Sequence, residues 1–451
     1  MKKLLALAAA ALLICPAAFA QEEEPVQAKK EVKTGWTLSA LPSISFSSDL
    51  GFQYGAFGEV YYYGDGTTYP DPLHLFKWEV SHFTKGRTRF FLAYDSKYLI
   101  PNMRISGSAT YMTDPMYYMY GFNGSAQTYS PMLDHQVVED HSQAFYNMKR
   151  NMFRGLLDFQ GKITDNLSWA GGINYWHFNM GNFNGDKYDY DPDYTLYNRY
   201  IDYGVIKENE AAGGDRLELK AGLVFNNRDV ETASNRGVWA ELYLSGSPDV
   251  FGDGFNYLKL NAHFRHYISL PINIKAGKPV FAYHLAYQGT LAGETPFYMQ
   301  QNITTLVLKQ MISEGIGSSN TIRGLMANRV IGDGYAWGNF ELRVKLVRFT
   351  LFKQFFYVAV NPFFDCGMIT QPYRVEEMSF LPEIRQSAFL LGVDAKTYIK
   401  DMSEEFIKTA GLGLKIAWNE NFIVSVEAAH NFNEGLHDGP LWISIGTNYC
   451  F

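Results

Sequence analysis

Alternation of apolar and polar residues, repeated over most of the chain, is the sequence feature that most constrains the fold. In two of the clearest segments, Leu217 to Phe225 and Phe340 to Leu346, apolar side chains stand at every second position and polar, charged or small residues stand between them. A period of two places one set of side chains on each face of a β-strand. A water-soluble sandwich and a membrane-spanning barrel both produce this pattern, so alternation predicts strands but leaves the class of sheet open.

The first residues of the chain predict export from the cytoplasm. A short apolar run that ends at Leu13 follows two lysines, and Ala18-Phe19-Ala20 is a cleavage signal of the A-x-A type. An apolar run of about ten residues is too short for a spanning helix. We therefore predict a signal peptide at residues 1–20, a flexible periplasmic tail at residues 21–35 and a barrel domain at residues 36–451.

Composition narrows the class of sheet. Aromatic residues make up 16% of the chain and glycines number 40, yet no later apolar run approaches the roughly twenty residues of a membrane helix. An exported chain of this kind is typical of the outer-membrane β-barrels of Gram-negative bacteria. The net charge of −7 argues against nucleic-acid binding, and the three cysteines lack the paired spacing of metal or redox sites.

The strand count favours an all-β, antiparallel transmembrane barrel. We predict about sixteen strands, an even number that places both chain ends on the periplasmic side. The longest connections, residues 114–143, 181–214, 293–333 and 370–408, then all fall on the outer side. The strands are predicted at residues 37–48, 52–63, 74–84, 87–99, 104–113, 144–162, 167–180, 215–227, 237–246, 255–269, 279–292, 334–351, 354–369, 409–419, 421–432 and 439–451.

One outer connection carries the sequence Ile322-Arg323-Gly324-Leu325, and the two strands after it carry Glu341 and Asp365. The period of two points both acids into the lumen. A carboxylate in a lumen narrowed by a loop favours a guanidinium partner, and Arg323 can bind one acid through two parallel hydrogen bonds. Gly324 allows a sharp turn of the loop. The other predicted members of this site are Leu325, Asn339, Arg343, Phe363 and Gly367.

Two alternatives to this site stay open at the level of sequence. Arg343 or Arg329 is also placed to be the main partner of the acids, and both are expected in the same lumen network. The plainer alternative is that Arg323 is a solvated loop arginine and Asp365 an acid of the lumen wall, because an Arg-Gly pair alone is a weak signal.

The last predicted strand carries a pattern of its own, with Ser444, Gly446, Tyr449 and a terminal Phe451. It resembles the C-terminal signature by which the barrel-assembly machinery recognises its clients. Physically, it is an edge strand that must pair with the first strand to close the barrel. We expect Phe451 at the last lipid-facing position of this strand.

The loop motif and the two acidic strands, taken in this order, resemble the barrel of the BamA/TamA-like superfamily, also called bacterial surface antigen barrels. The resemblance implies that the sixth outer loop folds back into the lumen and that its Arg323 tip contacts acidic residues on strands twelve and thirteen. It also implies a role in outer-membrane protein assembly or two-partner secretion. Members usually carry periplasmic POTRA domains before the barrel, and the short stretch before Trp36 leads us to expect none here.

Sites of covalent chemistry are not indicated. The acidic outer loop at residues 186–193 offers oxygen ligands for calcium, but it lacks the glycine turn and closing glutamate of a known calcium loop, which favours a solvated loop. The histidines show no paired metal spacing, and no nucleophile elbow or phosphate-binding loop is present. We therefore expect no catalytic residues, no metal site and no cofactor.

The predicted function is assistance in inserting or exporting outer-membrane or surface components. Two alternatives remain on the same fold, a passive pore or solute transporter and a scaffold subunit of a surface complex. The expected partners are outer-membrane lipid and lipopolysaccharide, the barrel-assembly machinery during biogenesis, and an unidentified client protein or lipid. A homodimer is a further expectation.

Overall fold

Sixteen antiparallel strands close into one barrel in the computed structural model of the protein. Each strand pairs with its neighbours in chain order, and the first pairs with the last. The predicted class of fold and the predicted number of strands are therefore confirmed. The structure describes residues 32–47, 50–69, 71–123, 133, 144–202, 204–231, 233–303, 315–351, 354–374, 406–418, 422–433, 441–447 and 451.

Fifteen of the sixteen strands have ten residues or more, as the span of a membrane by tilted strands requires, and the last is described over six. The first eight are β1 (Trp36–Ser47), β2 (Gly51–Tyr62), β3 (His74–Phe83), β4 (Thr88–Ile100), β5 (Met103–Tyr118), β6 (Asn147–Lys162), β7 (Leu167–Gly181) and β8 (Gly213–Asn226). The second eight are β9 (Gly237–Ser247), β10 (Tyr257–Ser269), β11 (Val280–Gly293), β12 (Gly334–Leu351), β13 (Gln354–Gln371), β14 (Ile407–Trp418), β15 (Phe422–Asn431) and β16 (Trp442–Thr447).

The direction of the side chains separates this barrel from a soluble sandwich. On β9 the apolar Leu242 and Leu244 are 52% and 42% exposed, whereas Glu241, which precedes Leu242 and points to the opposite face, is buried. Arg265 on the neighbouring β10 donates to Glu241 at 2.7 Å inside the barrel. The apolar set thus faces outward, where a membrane would cover it, and the charged set pairs within the lumen.

The beginning of β1 and the end of β16 lie at the same end of the barrel, which we name the periplasmic end; the opposite one is the outer end. At the outer end, β5 and the connections form an aromatic cap around the buried Tyr120, Tyr200 and Tyr298. Three short helices belong to the connection after β7: α1 (Gly185–Tyr188), α2 (Leu196–Asp202) and α3 (Glu208–Ala211). Within the described ranges, no helix has the length and apolar character needed to cross a membrane.

Some predicted strand ends differ from the structure, most clearly in β5. β5 continues to Tyr118 because, after an irregular step beyond Asp114, Tyr117 and Tyr118 pair again with β6. Pro115 lies in this step and has no backbone N–H to donate to the ladder. β16 ends at Thr447, and residues 448–450 lie outside the described part of the chain.

The predicted lipid-facing position of Phe451 is wrong. Its side chain is 6% exposed and lies against Tyr267, His284 and Arg343 of the lumen wall. Phe451 therefore lies inside the lumen, where a guanidinium and aromatic rings cover its phenyl ring. The predicted signal peptide and most of the predicted tail, residues 1–31, fall outside the described residues, so these boundaries stay predictions.

Candidate functional site

The connection between β11 and β12 folds into the lumen and carries Arg323 at its tip. A bridge between Ile316 and Val330 closes the base of this loop, with N–H to O distances of 3.0 and 3.3 Å. Within it, the Thr321 hydroxyl accepts from Gly317 N at 2.8 Å and donates to Gly317 O at 2.6 Å. These local bonds satisfy the backbone of a buried loop, so the tip does not depend on water for its shape.

Arg323 is fully buried, and its guanidinium group binds the carboxylate of Asp365 through two hydrogen bonds. Its Nε and Nη2 each lie 2.8 Å from one carboxylate oxygen of Asp365, and its backbone N–H donates to the same group at 3.0 Å. Nη1 donates to Glu341 at 2.5 Å. The guanidinium carbon also lies 3.6 Å from the centre of the Phe363 ring. A planar fork with delocalised charge suits this combination of bidentate pairing and stacking, which a lysine cannot reproduce.

The register of two neighbouring strands brings these residues together. Asn339 of β12 is directly opposite Asp365 of β13, and Glu341 is opposite Phe363. All four point inward, because each pair lies two residues from the next along its strand. The Asn339 amide donates to the carbonyl of Thr321 at 2.5 Å, which adds a contact between the wall and the loop.

A third acid, which the sequence analysis missed, completes the group. Glu427 of β15 accepts from Arg323 Nη1 at 3.2 Å and from Lys415 of β14 at 2.7 Å. The available sequence signal for Glu427 was its inward position on a strand that the alternation had predicted. The sequence analysis considered a single loop arginine, whose one positive charge cannot balance three carboxylates. Two further cations in the lumen are needed to do so.

Those cations are Lys415 and Arg343. Arg343 donates from Nε to Glu341 at 2.9 Å, and its Nη2 donates to the carbonyl oxygen of Phe451 at 2.9 Å. The network therefore holds three carboxylates and three cations, each no more than 5% exposed. A buried network is tolerable when every charge is paired, whereas removal of one partner leaves another charge without compensation.

The two glycines of the predicted site occupy crowded positions. Gly324 has a φ of +98°, and a Cβ there would lie 3.1 Å from Thr409 and 3.2 Å from Ala429. A Cβ on Gly367 would lie 2.7 Å from the Ile322 side chain and 2.9 Å from Trp337. Both positions let the loop approach the strands closely, which a larger residue would prevent.

Leu325 adds an apolar contact to the loop, because it is completely buried with Ile322, Val330 and Trp337. Of the two alternative arginines, Arg343 belongs to the acidic network, but it pairs with Glu341 from the strand and not from the loop. Arg329 instead lies over the ring of Tyr120, with 5.2 Å between the guanidinium carbon and the ring centre. Arg323 is thus the loop arginine that binds Asp365 and Glu341; the functional role of this group stays a prediction.

The structure describes three of the four residues of the predicted C-terminal signal. Ser444 is buried on β16, and a Cβ on Gly446 would meet no atom within 4 Å. Tyr449 lies outside the described residues, and Phe451 is inside the lumen. Recognition by the assembly machinery remains a prediction for these four residues.

The acidic outer loop is arranged by its own hydrogen bonds. Asn184 caps α1 by accepting from Lys187 N at 3.0 Å, and Asp191 accepts from Asp193 N at 2.9 Å. Searched over the ranges that the structure describes, histidine, cysteine, aspartate and glutamate form no group of three or more able to hold a metal ion.

Comparison with known proteins gives a family and a fold. The sequence matches the model of the Omp85 superfamily domain over residues 95–422. No curated protein sequence matches the chain. Among solved structures, BamA from Haemophilus ducreyi lacking POTRA domains 1-3 aligns with a TM-score of 0.51 and 14% identity, over 92% of this chain and 70% of that one. CdiB from Escherichia coli aligns with a TM-score of 0.53 and 10% identity, over 90% of this chain and 62% of that one. At such identities the likeness shows the fold alone.

Proposed function

Because this chain belongs to the Omp85 superfamily, we propose that it assists the insertion or export of outer-membrane or surface components in a Gram-negative bacterium. Membership of this superfamily, together with the closed barrel, supports a role in outer-membrane protein assembly or translocation. Outer-membrane lipid, lipopolysaccharide, the assembly machinery, a client and a second copy of the chain remain proposed partners.

The observation that carries the proposal is the short seam between β1 and β16. Every residue of β1 from Trp36 to Ser47 has a partner on β2. Towards the described part of β16, the paired residues of β1 are Phe46, opposite Ile445, and Ser47, opposite Ser444. Within the described part of β16, no residue of β1 before Phe46 has a ladder partner, and Trp36 and Leu38 at the start of β1 are more than 60% exposed.

An edge of this kind can pair with a strand of another chain. Backbone N–H and C=O groups along a strand edge are strong hydrogen-bonding groups that require partners in a membrane. A client strand that adds to β1 would satisfy them, as in β-strand addition to other exposed sheet edges. The mechanism is physical, because it exchanges backbone hydrogen bonds and breaks no covalent bond.

The lumen-loop site would keep this opening local. Arg323 connects β12, β13 and β15 through Glu341, Asp365 and Glu427, and β15 is the direct neighbour of β16. The wall next to the seam is thereby fixed by a balanced charge network. We propose that this network confines the opening to the β1–β16 boundary.

A tether across the seam tests the function. Ser47→Cys with Ser444→Cys joins residues that are directly opposite, and Ser45→Cys with Gln53→Cys is a matched control across β1 and β2. Cys366 and Cys450 are first replaced by serine. Cells depleted of the natural protein and supplied with each variant are compared by outer-membrane proteomics and lipid analysis.

We expect the oxidised seam tether to leave the depletion defect in place and reductant to relieve it, while the control supports normal composition. Full activity of the oxidised seam variant would contradict the proposal. Steady, large, ion-selective conductance of the purified protein in planar bilayers would instead favour the passive pore.

A further inference from the structure

The periplasmic connection between β8 and β9 reaches across the barrel. Its described residues, 227–231 and 233–236, are named here the strap. On one side, Glu231 lies 3.4 Å from Arg104 at the start of β5 and 3.7 Å from Lys97 of β4. On the other side, Ala233 packs against lumen-facing residues of β13, β14 and β15, which are Tyr357, Ala359, Ala417 and Ile423. A loop that touches both walls must cross the lumen between them.

Further contacts place the strap over the mouth of the barrel. Lys345 of β12 donates to the Asn235 side chain at 3.2 Å, and Ser269 of β10 donates to the Asn235 carbonyl at 2.9 Å. These partners stand at or near the periplasmic ends of their strands. The strap therefore has contacts on β4, β5, β10 and β12 to β15, which are distributed around most of the ring.

The strap is built as a small rigid unit. The carboxylate of Asp229 accepts from the backbone N–H groups of Val230, Asn235 and Arg236 at 3.0, 3.0 and 3.3 Å. The Ser234 hydroxyl donates to the carbonyl of Val230 at 2.6 Å. Because these bonds lie within the loop, they are kept whether or not its far end touches the walls.

The base of the strap is fixed to its own strands. Arg228 donates to Asn226 at 3.0 Å, and its guanidinium carbon lies 4.1 Å from the centre of the Trp239 ring. Gly237, with a φ of +105°, ends the loop where β9 begins. The contact of Arg228 with the Trp239 ring thus anchors the base of the strap.

The contacts of the tip are of a weaker kind. The side chain of Glu231 is 53% exposed, and ion pairs this accessible to water contribute little. The apolar contact on the opposite wall involves the single methyl group of Ala233. A rigid hairpin with a firm base and weakly held far contacts is a hinged element.

We propose that the strap is a gate, which closes the lumen at its periplasmic end in the resting protein and swings away as a unit to open it. This gate concerns the lumen and not the β1–β16 seam, so it goes beyond the proposed function and does not depend on it. Opening requires loss of the Glu231 ion pairs and of the Ala233 contact. The hydrogen bonds from Lys345 and Ser269 to Asn235 are also lost, while the bonds of Asp229 within the strap persist.

Access of a reagent to the lumen tests the gate. Ser425→Cys places a near-isosteric thiol on a buried, inward position of β15, two residues above Ile423 along the strand. In a background of Cys366→Ser and Cys450→Ser, the purified full-length protein in nanodiscs is treated with a polyethylene-glycol maleimide. A second reporter, Val250→Cys on an exposed outer loop, checks that the reagent reacts equally in every variant.

The two contacts of the tip are weakened separately. Glu231→Lys reverses the charge that faces Arg104 and Lys97, and Ala233→Asp places a carboxylate on the apolar patch. Glu208→Lys on the exposed face of α3 makes the same charge change at the outer end and serves as the matched control. Heat-modifiability on gels verifies that each barrel is folded.

We expect slow labelling of Ser425→Cys in the parent and in the Glu208→Lys control, and at least a tenfold faster reaction in each strap variant. If both folded strap variants are labelled as slowly as the parent, the strap is not the element that closes this mouth. Rapid labelling of the parent would show that the mouth is already open, which also overturns the proposal.

Discussion

Arg323 of the lumen loop and Asp365 of β13 are joined by two parallel hydrogen bonds of 2.8 Å, and both residues are completely buried. The loop and the strand wall thus share one charge-compensated contact. The attraction between the two charges adds little net stability, because both are removed from water. Removal of one partner lowers the free energy of unfolding strongly, because the remaining buried charge is poorly solvated.

Arg323→Ala should therefore destabilise the barrel by about 3–5 kcal/mol, since Asp365 keeps its burial and loses its partner. The measurement is the free energy of unfolding in urea, with heat-modifiability on gels as a second readout. Arg199→Ala on α2 is the control, because its ion pair with Asp202 is exposed at the surface and worth about 0–1 kcal/mol. Equal stability of the two variants would contradict the importance of the buried pair.

Glu427 and Lys415 should behave as a coupled pair. Glu427→Gln leaves the buried ammonium of Lys415 without its carboxylate at 2.7 Å, and Lys415→Met leaves an excess negative charge. The double variant should be less destabilised than the sum of the two single variants, by about 0.5–3 kcal/mol. Urea unfolding of all four proteins gives the coupling energy, and strict additivity would show that the two charges act independently.

Gly324→Ala should cost about 1–3 kcal/mol, because alanine is strained at a φ of +98° and its Cβ would press on Thr409 and Ala429. Gly155→Ala on β6 is the matched control: the nearest atom to its Cβ would be 3.8 Å away, in ordinary contact. Comparison of the two urea midpoints checks the expectation. A loss of stability as large in Gly155→Ala would point to a general effect of replacing glycine and not to the strained φ of Gly324.

The outer cap should loosen in acid through Glu294, which accepts from Lys207 at 2.6 Å and from Arg374 at 2.8 Å. Burial alone would raise the pKa of Glu294, but the bond from Lys207 and the charge of Arg374 outweigh it and hold the pKa below its ordinary value. A carboxylate whose pKa is depressed by folding stabilises the fold above its unfolded pKa of about 4.3, and this contribution is lost as pH falls through the folded pKa.

The melting temperatures of the natural protein and of Glu294→Gln measure this effect. The natural protein should be the more stable at pH 7, and the difference should shrink as pH is lowered from about 5 to 3. The difference isolates Glu294 from the other carboxylates that are protonated over the same range. A difference that stays constant with pH would exclude an electrostatic role for this residue in the cap.

Phe451→Ala should destabilise the chain end without changing the lumen-loop contact. The substitution removes a ring that packs on Tyr267 and His284, while the main-chain carbonyl that accepts from Arg343 remains. We expect a loss of about 3–5 kcal/mol if the end is part of the folded core. Unchanged urea unfolding would show that the end is free to leave the lumen.

Much of the fold follows from the sequence because side-chain direction in a strand repeats every two residues. In a membrane barrel the side chains that face lipid are apolar and those that face the lumen are polar, so this repeat is visible in the sequence. Alternation of the kind seen at Glu241 and Leu242, repeated along the chain, was enough to predict the strands and their number. The number of strands then predicted which connections lie at each end of the barrel. The inward direction of Glu341 and Asp365 followed from the same period. The end of β5 did not follow, since pairing beyond Pro115 depends on a partner strand and not on local pattern.

The tertiary structure decided what the period of two cannot express. It selected Arg323 over Arg343 and Arg329 as the loop partner of the acids, because that choice depends on how the loop folds back. It added Glu427 and Lys415, which are over seventy residues from the loop in sequence and are brought to it by closure of the ring. It also placed Phe451 in the lumen and the strap across the periplasmic mouth. Both positions depend on contacts between segments that are far apart in sequence, and local alternation carries no information about such contacts.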